Sequence, residues 1–242
     1  MPIDQQDEFD AVRFSGVIAL DGPAGTGKST VARRLASRLH AQFLDTGAMY
    51  RAATVAVLRA GVDPSDAVAV TALVAASEIE VVTDPAQPHT TLDGDNVDVE
   101  IRTADTTAAV SAVSAIAAVR QQLVEQQRAI LGRGPTVAEG RDIGSVVWPQ
   151  AELKVYLTAT EAVRASRRAG ELGEANLAEI AAGLRRRDGL DSGRLTSPLH
   201  RTADAVEVDT SELSIDEVVQ VLVDLALAER HSVGSARSSE GG

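Results

Sequence analysis

Cysteine is absent from this sequence, and aromatic residues and lysine are scarce. Without cysteine the chain cannot form a disulfide framework, a thiolate zinc site or a cysteine nucleophile. With only one Trp, two Tyr and three Phe in 242 residues, the core must be aliphatic and alanine-rich, which favours helices packed on a Val/Ile/Leu sheet. Lys28 and Lys154 are the only lysines among 23 basic residues, so a lysine in a motif is more informative than an arginine.

Positive charge and long apolar runs are also scarce. The net charge is −12, with 23 Lys and Arg against 35 Asp and Glu, which disfavours a protein that mainly grips nucleic acid. The longest uncharged stretches, 106–119 and 67–77, are too short and too rich in Ala, Ser and Thr to cross a bilayer. The N-terminus is acidic where a secretory signal needs a basic region. We expect a cytoplasmic monomer with no membrane or nucleic-acid partner.

Strand-like and helix-like segments alternate along the chain, which predicts a doubly wound α/β sheet. The expected folded domain is 14–230, between disordered tails at 1–13 and 231–242. From residue 78 to 101 the hydrophobic period changes to two, which predicts a small antiparallel insertion with DGDN as its turn. The predicted strands are 17–21, 42–45, 136–138, 153–157 and 205–208. The predicted helices are 28–39, 48–60, one capped by Asp63-Pro64 and ending near Ser77, 103–131 with a break, and one from a Ser214/Glu217 capping box to about Arg230.

A complete phosphate-binding motif, G-x-x-x-x-G-K-[ST], follows the first predicted strand and opens the first helix. Its glycines allow a tight turn whose N–H groups face phosphate oxygens, and the helix adds its positive N-terminus. Lys28 should reach the β- and γ-phosphates, and the Ser29 hydroxyl should bind magnesium. The predicted ATP-binding residues are Gly22, Pro23, Ala24, Gly25, Thr26, Gly27, Lys28, Ser29 and Thr30.

This loop indicates nucleoside triphosphate binding but does not identify the reaction. A regulatory GTPase would carry D-x-x-G and N-K-x-D, and the sequence contains neither. A motor-type ATPase would usually be larger and would show a strand ending in paired acids. Small phosphotransferases remain, and they need a second substrate site.

Several further motifs resemble those of the bacterial cytidylate kinases, a family of P-loop nucleoside monophosphate kinases. They are GPAGTGKST, DTGAMYRA, EIRT (100–103), EGRDIG (139–144) and RRRDGLDSGRLTSPL (185–199). They occur in the family's order and approximate spacing, from about Val17 to Ala228. The resemblance implies a P-loop kinase fold with a monophosphate-binding region at about 46–131, which includes the antiparallel insertion, and a helical lid at about 160–195.

The resemblance also implies a reaction and a set of residues. The reaction is transfer of the γ-phosphoryl group of ATP, with Mg²⁺, to CMP or dCMP in pyrimidine nucleotide metabolism. Arg51, Arg141 and Arg194 match positions that hold the CMP phosphate, and Arg187 and Asp191 match positions that contact the sugar. Thr46 and Tyr50 should line the nucleotide pocket, although Tyr50 could equally belong to the core. The implied catalytic set is Lys28, Arg141, Arg164, Arg168 and Arg194.

The chemistry of cytosine gives a reading of the base site that agrees with the family. The pairing edge of cytosine offers an amino donor and two acceptors, so its site needs a carboxylate on one side and donors on the other. Asp142 can accept from the amino group. Ser111 and Arg120, which match the family's base-contacting positions, can donate, or they are a packed serine and a solvated arginine of an Ala/Val-rich helix.

The lid and the adenine side have two readings each. Arg164, Arg167 and Arg168 share one helix face, as a lid that stabilises the transferring phosphoryl group or as a solvated basic surface. Residues 209–211 either pack the adenine or only cap the last helix. Kinases for UMP or shikimate, and a regulatory module that binds ATP without transfer, are the competing functions. A uracil site would need a donor facing O4, and a binding module has no need of an arginine-rich second site.

Overall fold

Two β-sheets organise the fold in a computed structural model, which describes residues 14–173, 176–194 and 196–238. Strands β1, β2, β6, β7 and β8 pair in parallel in the order β2-β6-β1-β7-β8, and β3, β4 and β5 form a separate antiparallel sheet. The bounds in the described residues are β1 (Val17–Asp21), β2 (Gln42–Asp45), β3 (Ile79–Val82), β4 (His89–Leu92), β5 (Asp95–Asn96), β6 (Thr136–Glu139), β7 (Leu153–Thr158) and β8 (Val206–Asp209).

Helices cover both faces of the parallel sheet. Ile18 and Leu20 of β1 pack among residues of the first and last helices, whereas Val17 and Ala19 pack on the opposite face. A strand buried on both faces is typical of a doubly wound sheet, so the predicted fold class is confirmed. The α-helices in the described residues are α1 (Lys28–Arg38), α2 (Thr46–Arg59), α3 (Ala67–Ala76), α4 (Ala104–Ala115), α5 (Ala117–Leu131), α6 (Glu161–Leu172), α7 (Leu177–Ser192) and α8 (Ile215–Ser238).

The strand order brings three acidic residues to the carboxyl edge of the sheet. β1 lies between β6 and β7, and its terminal residue Asp21 follows Leu20, which is in register with Glu139. Asp45, the last residue of β2, is in register with Glu139 as well. Ligands of doubly wound sheets bind at this edge, where the chain order reverses. The fold therefore places the predicted motifs after β1, β2 and β6 next to one another.

The antiparallel sheet packs on α2 through a shared hydrophobic core. Ile79 of β3 and Leu92 of β4 are buried in the same core as α2, which anchors the insertion to the rest of the domain. The predicted break in the helical stretch is at Ile116, where α4 and α5 meet at an angle of 95°. Over the described ranges, no helix alone has the length and apolar character to cross a membrane; the bent pair α4 and α5 meets the length and composition criteria only jointly.

Most element boundaries agree with the sequence predictions to within two residues, and two differ by more for local reasons. Asp63-Pro64 does not begin a helix, because the Asp63 carboxylate accepts from the N–H and hydroxyl of Ser65 and forms a turn. Asp66 instead caps α3 by accepting from the backbone N–H groups of residues 68 and 69. At the other end, α8 continues through Ser238, so 231–238 are helical rather than a disordered tail. Glycine and serine lower helix propensity without ending a helix that is already formed.

The remaining predictions for the ends of the chain, at 1–13 and 239–242, fall outside the described residues. The capping box at the start of α8 is confirmed. The Glu217 carboxylate accepts from the backbone N–H of Ser214 at 2.8 Å, and the Ser214 hydroxyl accepts from the Glu217 N–H at 3.3 Å.

Candidate active site

The loop between β1 and α1 is shaped to bind an anion. Gly22, Gly25 and Gly27 have φ values of 147°, 79° and 88°, a backbone region that favours glycine. Lys28 is the first residue of α1. Its ammonium donates to the carbonyl oxygen of Pro23 at 2.6 Å, which links the two ends of the loop. Backbone N–H groups in such a turn, together with a helix N-terminus, form a phosphate cradle.

The pKa of the Lys28 ammonium lies well below the usual value for lysine. Burial, followed by the positive charge of Arg141, lowers the pKa of Lys28 from 10.5 to about 7. Arg187 lowers this pKa further, whereas the carboxylates of Glu139 and Asp21 raise it. A bound polyphosphate would supply negative charge beside the ammonium and raise the pKa again.

Oxygen donors for a hard cation lie beside the loop. The Ser29 hydroxyl donates to the Glu139 carboxylate at 2.5 Å, and Asp45 ends the neighbouring strand. Burial raises the pKa of Asp45, and the negative charge of Glu139 raises it further. Thr46 is buried and donates to the backbone carbonyl of Glu139 at 2.8 Å, so it ties α2 to β6. The sequence patterns did not indicate Glu139 as the partner of Ser29, although Glu139 directly follows a predicted strand.

The predicted acceptor arginines converge around Asp191. Arg141 Nε donates to Asp191 Oδ2 at 3.0 Å, and Arg194 Nη2 forms a salt bridge with Asp191 Oδ1. Asp191 is almost completely buried, and the two cations compensate for the hydration that its carboxylate loses. The structure thus brings together three residues that lie on two segments 50 positions apart.

Two further arginines of the predicted set lack a carboxylate partner among the described residues. Arg51 donates only to neutral oxygens, the Ile101 carbonyl at 2.8 Å and the Thr107 hydroxyl at 3.0 Å. Burial lowers the pKa of Arg51 to about 10. Burial and the charges of Arg141 and Arg51 lower the pKa of Arg187 to about 9. Positive charges therefore crowd one another in this part of the cleft, and a phosphate dianion would relieve that repulsion.

The predicted base-reading residues form a buried ion pair. Arg120 Nη2 donates to Asp142 Oδ2, and both side chains are about 95% buried. The Arg120 guanidinium lies 5.2 Å from the centre of the Tyr50 ring, which places Tyr50 beside the base site as well as in the core. The Ser111 hydroxyl, in contrast, forms no hydrogen bond with Arg120 or Asp142 within the described part of the chain.

Asp21 holds the loop that carries Arg141 and Asp142. Its two carboxylate oxygens accept from the backbone N–H groups of Ile143 and Gly144, each at 2.8 Å. Burial raises the pKa of Asp21 to about 6, although the two backbone hydrogen bonds act in the opposite direction. The end of β1 therefore positions the acceptor loop as well as the phosphate loop. Nothing in a single motif identifies this role, because the contact spans more than 120 residues.

The three arginines of the predicted lid each have different hydrogen-bond partners. Arg164 donates to the Ala24 carbonyl at 3.0 Å and to Asp188 at 2.5 Å, which fastens α6 to the phosphate loop. Arg167 donates to the Thr210 hydroxyl at 2.8 Å. Arg168 is partly exposed and pairs with Glu171 at 2.8 Å. They do not form one solvated basic face.

Residues 209–211 lie beside the phosphate loop, where the Thr210 hydroxyl is 3.3 Å from the Thr26 carbonyl oxygen. Thr210 is buried, and its hydroxyl donates to the Thr158 carbonyl at 3.0 Å. The Asp209 carboxylate accepts from the Ser211 hydroxyl at 2.6 Å and from its N–H at 2.9 Å, which forms a tight turn before α8. Arg167 connects this segment to the phosphate loop, because its guanidinium donates to the backbone carbonyls of both Thr26 and Thr210.

Sequence comparison places these features in a known family. The family model described as cytidylate kinase matches residues 18–228. A cytidylate kinase from Nocardia farcinica is 51% identical over 230 residues, covering 91% of this chain and 97% of that protein. A cytidylate kinase from Mycobacterium leprae is 50% identical over 214 residues, covering 86% and 94%. A bifunctional pantoate ligase/cytidylate kinase from Synechococcus elongatus is 49% identical over 219 residues, which are 41% of its own length.

Solved structures show a more distant likeness. A shikimate kinase from Acinetobacter baumannii in complex with shikimate has a TM-score of 0.47 and 16% sequence identity, covering 90% of this chain and 97% of the other. A structure of TT1252 from Thermus thermophilus has a TM-score of 0.46 and 18% identity, covering 89% and 98%. Likeness at this level does not bear on which acceptor the chain uses.

Proposed function

The chain belongs to the cytidylate kinase family, and we propose which of its residues carry each part of the reaction. As a nucleoside monophosphate kinase it transfers the γ-phosphoryl group of ATP to CMP or dCMP. The observation that supports the proposal most strongly is the convergence of Arg141 and Arg194 on the buried Asp191 carboxylate, beside the positive charges of Arg51 and Arg187. Positive charges placed so close together repel one another, and phosphate groups bound among them would relieve that repulsion.

Arg51, Arg141 and Arg194 hold the acceptor phosphate. Guanidinium groups bind phosphate in a bidentate manner and neutralise it, which lets two polyanions approach each other. Arg187 and Asp191 contact the sugar, and Asp191 also keeps Arg141 and Arg194 in place through its two carboxylate oxygens. The work of these residues is positioning and charge stabilisation, with no covalent intermediate.

Asp142 and Arg120 read the base. Arg120 occupies Oδ2 of Asp142, which leaves Oδ1 available to accept from the amino group of cytosine. The remaining N–H groups of Arg120 donate to the acceptors of the ring, with Ser111 and Tyr50 completing the pocket together with Thr46. A uracil ring presents O4 to the carboxylate instead of an amino group, so the same site disfavours UMP.

ATP binds with its phosphates in the loop from Gly22 to Thr30. Lys28 contacts the β- and γ-phosphates and leaves its hydrogen bond with Pro23 to do so. Ser29 and Glu139 present hard oxygen donors, which fit Mg²⁺. No group of three or more Asp, Glu, His or Cys side chains in the described ranges is placed to hold a metal ion by itself. Such an ion, when bound with ATP, neutralises negative charge on the phosphates.

Helices α6 and α7 form the lid. Arg164 keeps α6 on the phosphate loop, and Arg168, whose only carboxylate partner in the described residues is exposed Glu171, is free to turn toward the transferring phosphoryl group. Closure over both substrates excludes water, which would otherwise compete as the acceptor. The protein acts on small molecules in the cytoplasm, which the lack of cysteine supports.

The test is an acceptor panel. Wild-type protein, ATP and Mg²⁺ are combined with CMP, dCMP, UMP, AMP, GMP or shikimate, and kcat/KM is measured from ADP formation. The proposed roles predict that CMP or dCMP gives the highest kcat/KM, that UMP follows, and that shikimate gives no ADP above the acceptor-free rate. A higher kcat/KM for UMP than for CMP would contradict the base-reading assignment, and Lys28→Ala serves as the control that is defective with every acceptor.

A further inference from the structure

Ser114 joins two arginines that come from separate parts of the cleft. It lies in the last turn of α4, directly before the 95° bend into α5, and is 4% exposed. Its hydroxyl accepts a hydrogen bond from Arg194 Nη2 at 2.9 Å and donates to the Ser111 carbonyl at 3.3 Å. Its backbone carbonyl accepts from Arg120 Nη1 at 3.3 Å.

These contacts belong to a closed ring that runs around the acceptor site. Arg120 pairs with Asp142, which adjoins Arg141 in the chain, and Arg141 and Arg194 share one carboxylate. Every link is a salt bridge or a peptide bond except the two links that Ser114 makes. The ring, in order, consists of Asp142, Arg120, Ser114, Arg194, Asp191 and Arg141.

The Ser114 hydroxyl has a specific effect on Arg194. Arg194 follows the end of α7, and within the described ranges its guanidinium is otherwise fixed only by Asp191, which it shares with Arg141. A long arginine side chain with one partner retains rotamer freedom that must be lost when a ligand binds. A second fixed acceptor removes part of that freedom before the ligand arrives.

We propose that Ser114 is a positioning residue that fixes the Arg194 guanidinium for the acceptor phosphate, while its carbonyl independently supports Arg120. The inference rests on the proposed function, in which Arg194 binds that phosphate. Ser114 itself does not touch substrate. The family resemblance assigns Ser111, one turn earlier, to the base, whereas the structure places the Ser114 hydroxyl on the phosphate-binding arginine.

Ser114→Ala removes one link of the ring and leaves the other. The alanine variant loses the hydroxyl that Arg194 uses and keeps the carbonyl that Arg120 uses. We therefore expect kcat/KM for CMP to fall about 5- to 20-fold, with KM for ATP unchanged. The fall should be the same for UMP, because the base-reading pair is intact, and Ser114→Thr, which retains a hydroxyl, should recover most of the activity.

Ser77→Ala is the matched control. Ser77 lies at the C-terminal end of α3, and its hydroxyl donates to a carbonyl one turn earlier, that of Leu73 at 3.0 Å, much as Ser114 does in α4. Unlike Ser114, Ser77 has no hydrogen bond to any residue of the ring within the described ranges. This variant should keep the wild-type kcat/KM for CMP. Thermal unfolding of both alanine variants checks that each is folded.

The decisive experiment is a double-mutant cycle with Arg194→Lys, which keeps the charge but loses the planar guanidinium. If Ser114 acts through Arg194, Ser114→Ala should lower kcat/KM for CMP less than about 2-fold in the Arg194→Lys background. An equal fall in both backgrounds would show that Ser114 only stabilises the helix bend and would overturn the inference, as would wild-type activity in Ser114→Ala. If wild-type protein itself gives no CMP-dependent ADP, it is the proposed function that fails.

Discussion

Asp188 of α7 accepts from Arg164 of α6 at 2.5 Å, and its other carboxylate oxygen accepts from the backbone N–H of Ala24 at 3.2 Å. One carboxylate therefore joins both lid helices to the phosphate loop. Ala24 also packs against Ile180 and Leu184 of α7, so the polar contact is flanked by a small apolar cluster.

The first prediction concerns this lid contact. Asp188→Ala removes the carboxylate that Arg164 and the Ala24 N–H share in a largely buried place, at a cost of about 1–3 kcal/mol, although Arg164 keeps the Ala24 carbonyl. We expect KM for ATP to rise about 5- to 150-fold, and KM for CMP to change much less. Glu161→Ala is the control, since Glu161 pairs with exposed Arg185 on the same lid and should matter little. Equal effects on KM for the two substrates would contradict this role of Asp188.

The second prediction is a pH dependence of ATP binding. Burial and the positive charge of Arg141 lower the pKa of Lys28 to about 7, so the ammonium loses its proton as the pH rises through this range. Phosphate charge raises the pKa of Lys28 in the complex, and binding must therefore take up a proton. Affinity for ATP should weaken as pH rises from 7 to 9. Titration calorimetry in buffers of different ionisation enthalpy should show this uptake in wild type and not in Lys28→Ala; equal uptake in both would point to another group.

The third prediction concerns base selectivity. Asp142→Asn replaces an acceptor with a group that can donate to O4 of uracil, so CMP use should fall far more than UMP use. A buried polar mismatch costs about 1–3 kcal/mol, so the CMP-to-UMP ratio of kcat/KM should fall about 5- to 150-fold. The ratio cancels general damage from the loss of the Arg120 salt bridge. Equal losses on both substrates would mean that Asp142 orients the loop, and that Arg120 and Ser111 read the base.

The fourth prediction is a contrast between two glycines. A side chain at Gly22, with its φ of 147°, would fall on the backbone carbonyl oxygen of Leu157. Gly22→Ala should therefore lower the free energy of unfolding by more than about 2 kcal/mol. Gly170 lies inside α6 in open space, where an added methyl group would meet no other atom within 4 Å, and Gly170→Ala should raise stability by about 0.5–1 kcal/mol. Urea denaturation measures both changes, and similar effects of the two substitutions would contradict the strain at Gly22.

Sequence alone could predict whatever depends on short spacing. The phosphate loop, β2 and the capping box of α8 each depend on a few consecutive residues. Their side chains and backbone act on immediate neighbours, so a short stretch of sequence is enough to predict them. The family resemblance added the second-substrate residues, of which the structure pairs Arg120 with Asp142 and both Arg141 and Arg194 with Asp191.

The remaining features depend on contacts between distant segments. Asp21 meets Ile143 and Gly144, and Asp188 meets Ala24, only after the sheet and lid have formed. Ser114 lies in an Ala/Val-rich helix where nothing in the local pattern separates it from Ser111. A turn and a helix start were both compatible with the sequence at Asp63. The turn forms because the Asp63 carboxylate accepts hydrogen bonds from the N–H and hydroxyl of Ser65.

The most direct test of the account is the rate of ADP formation from ATP by wild-type protein, measured with and without CMP, together with the amount of CDP formed. A cleft in which arginines hold an acceptor phosphate against the phosphate loop predicts that ADP formation depends on CMP, and that one CDP appears for each ADP. ADP formation at the same rate without CMP, or ATP binding with no CDP at all, would contradict it.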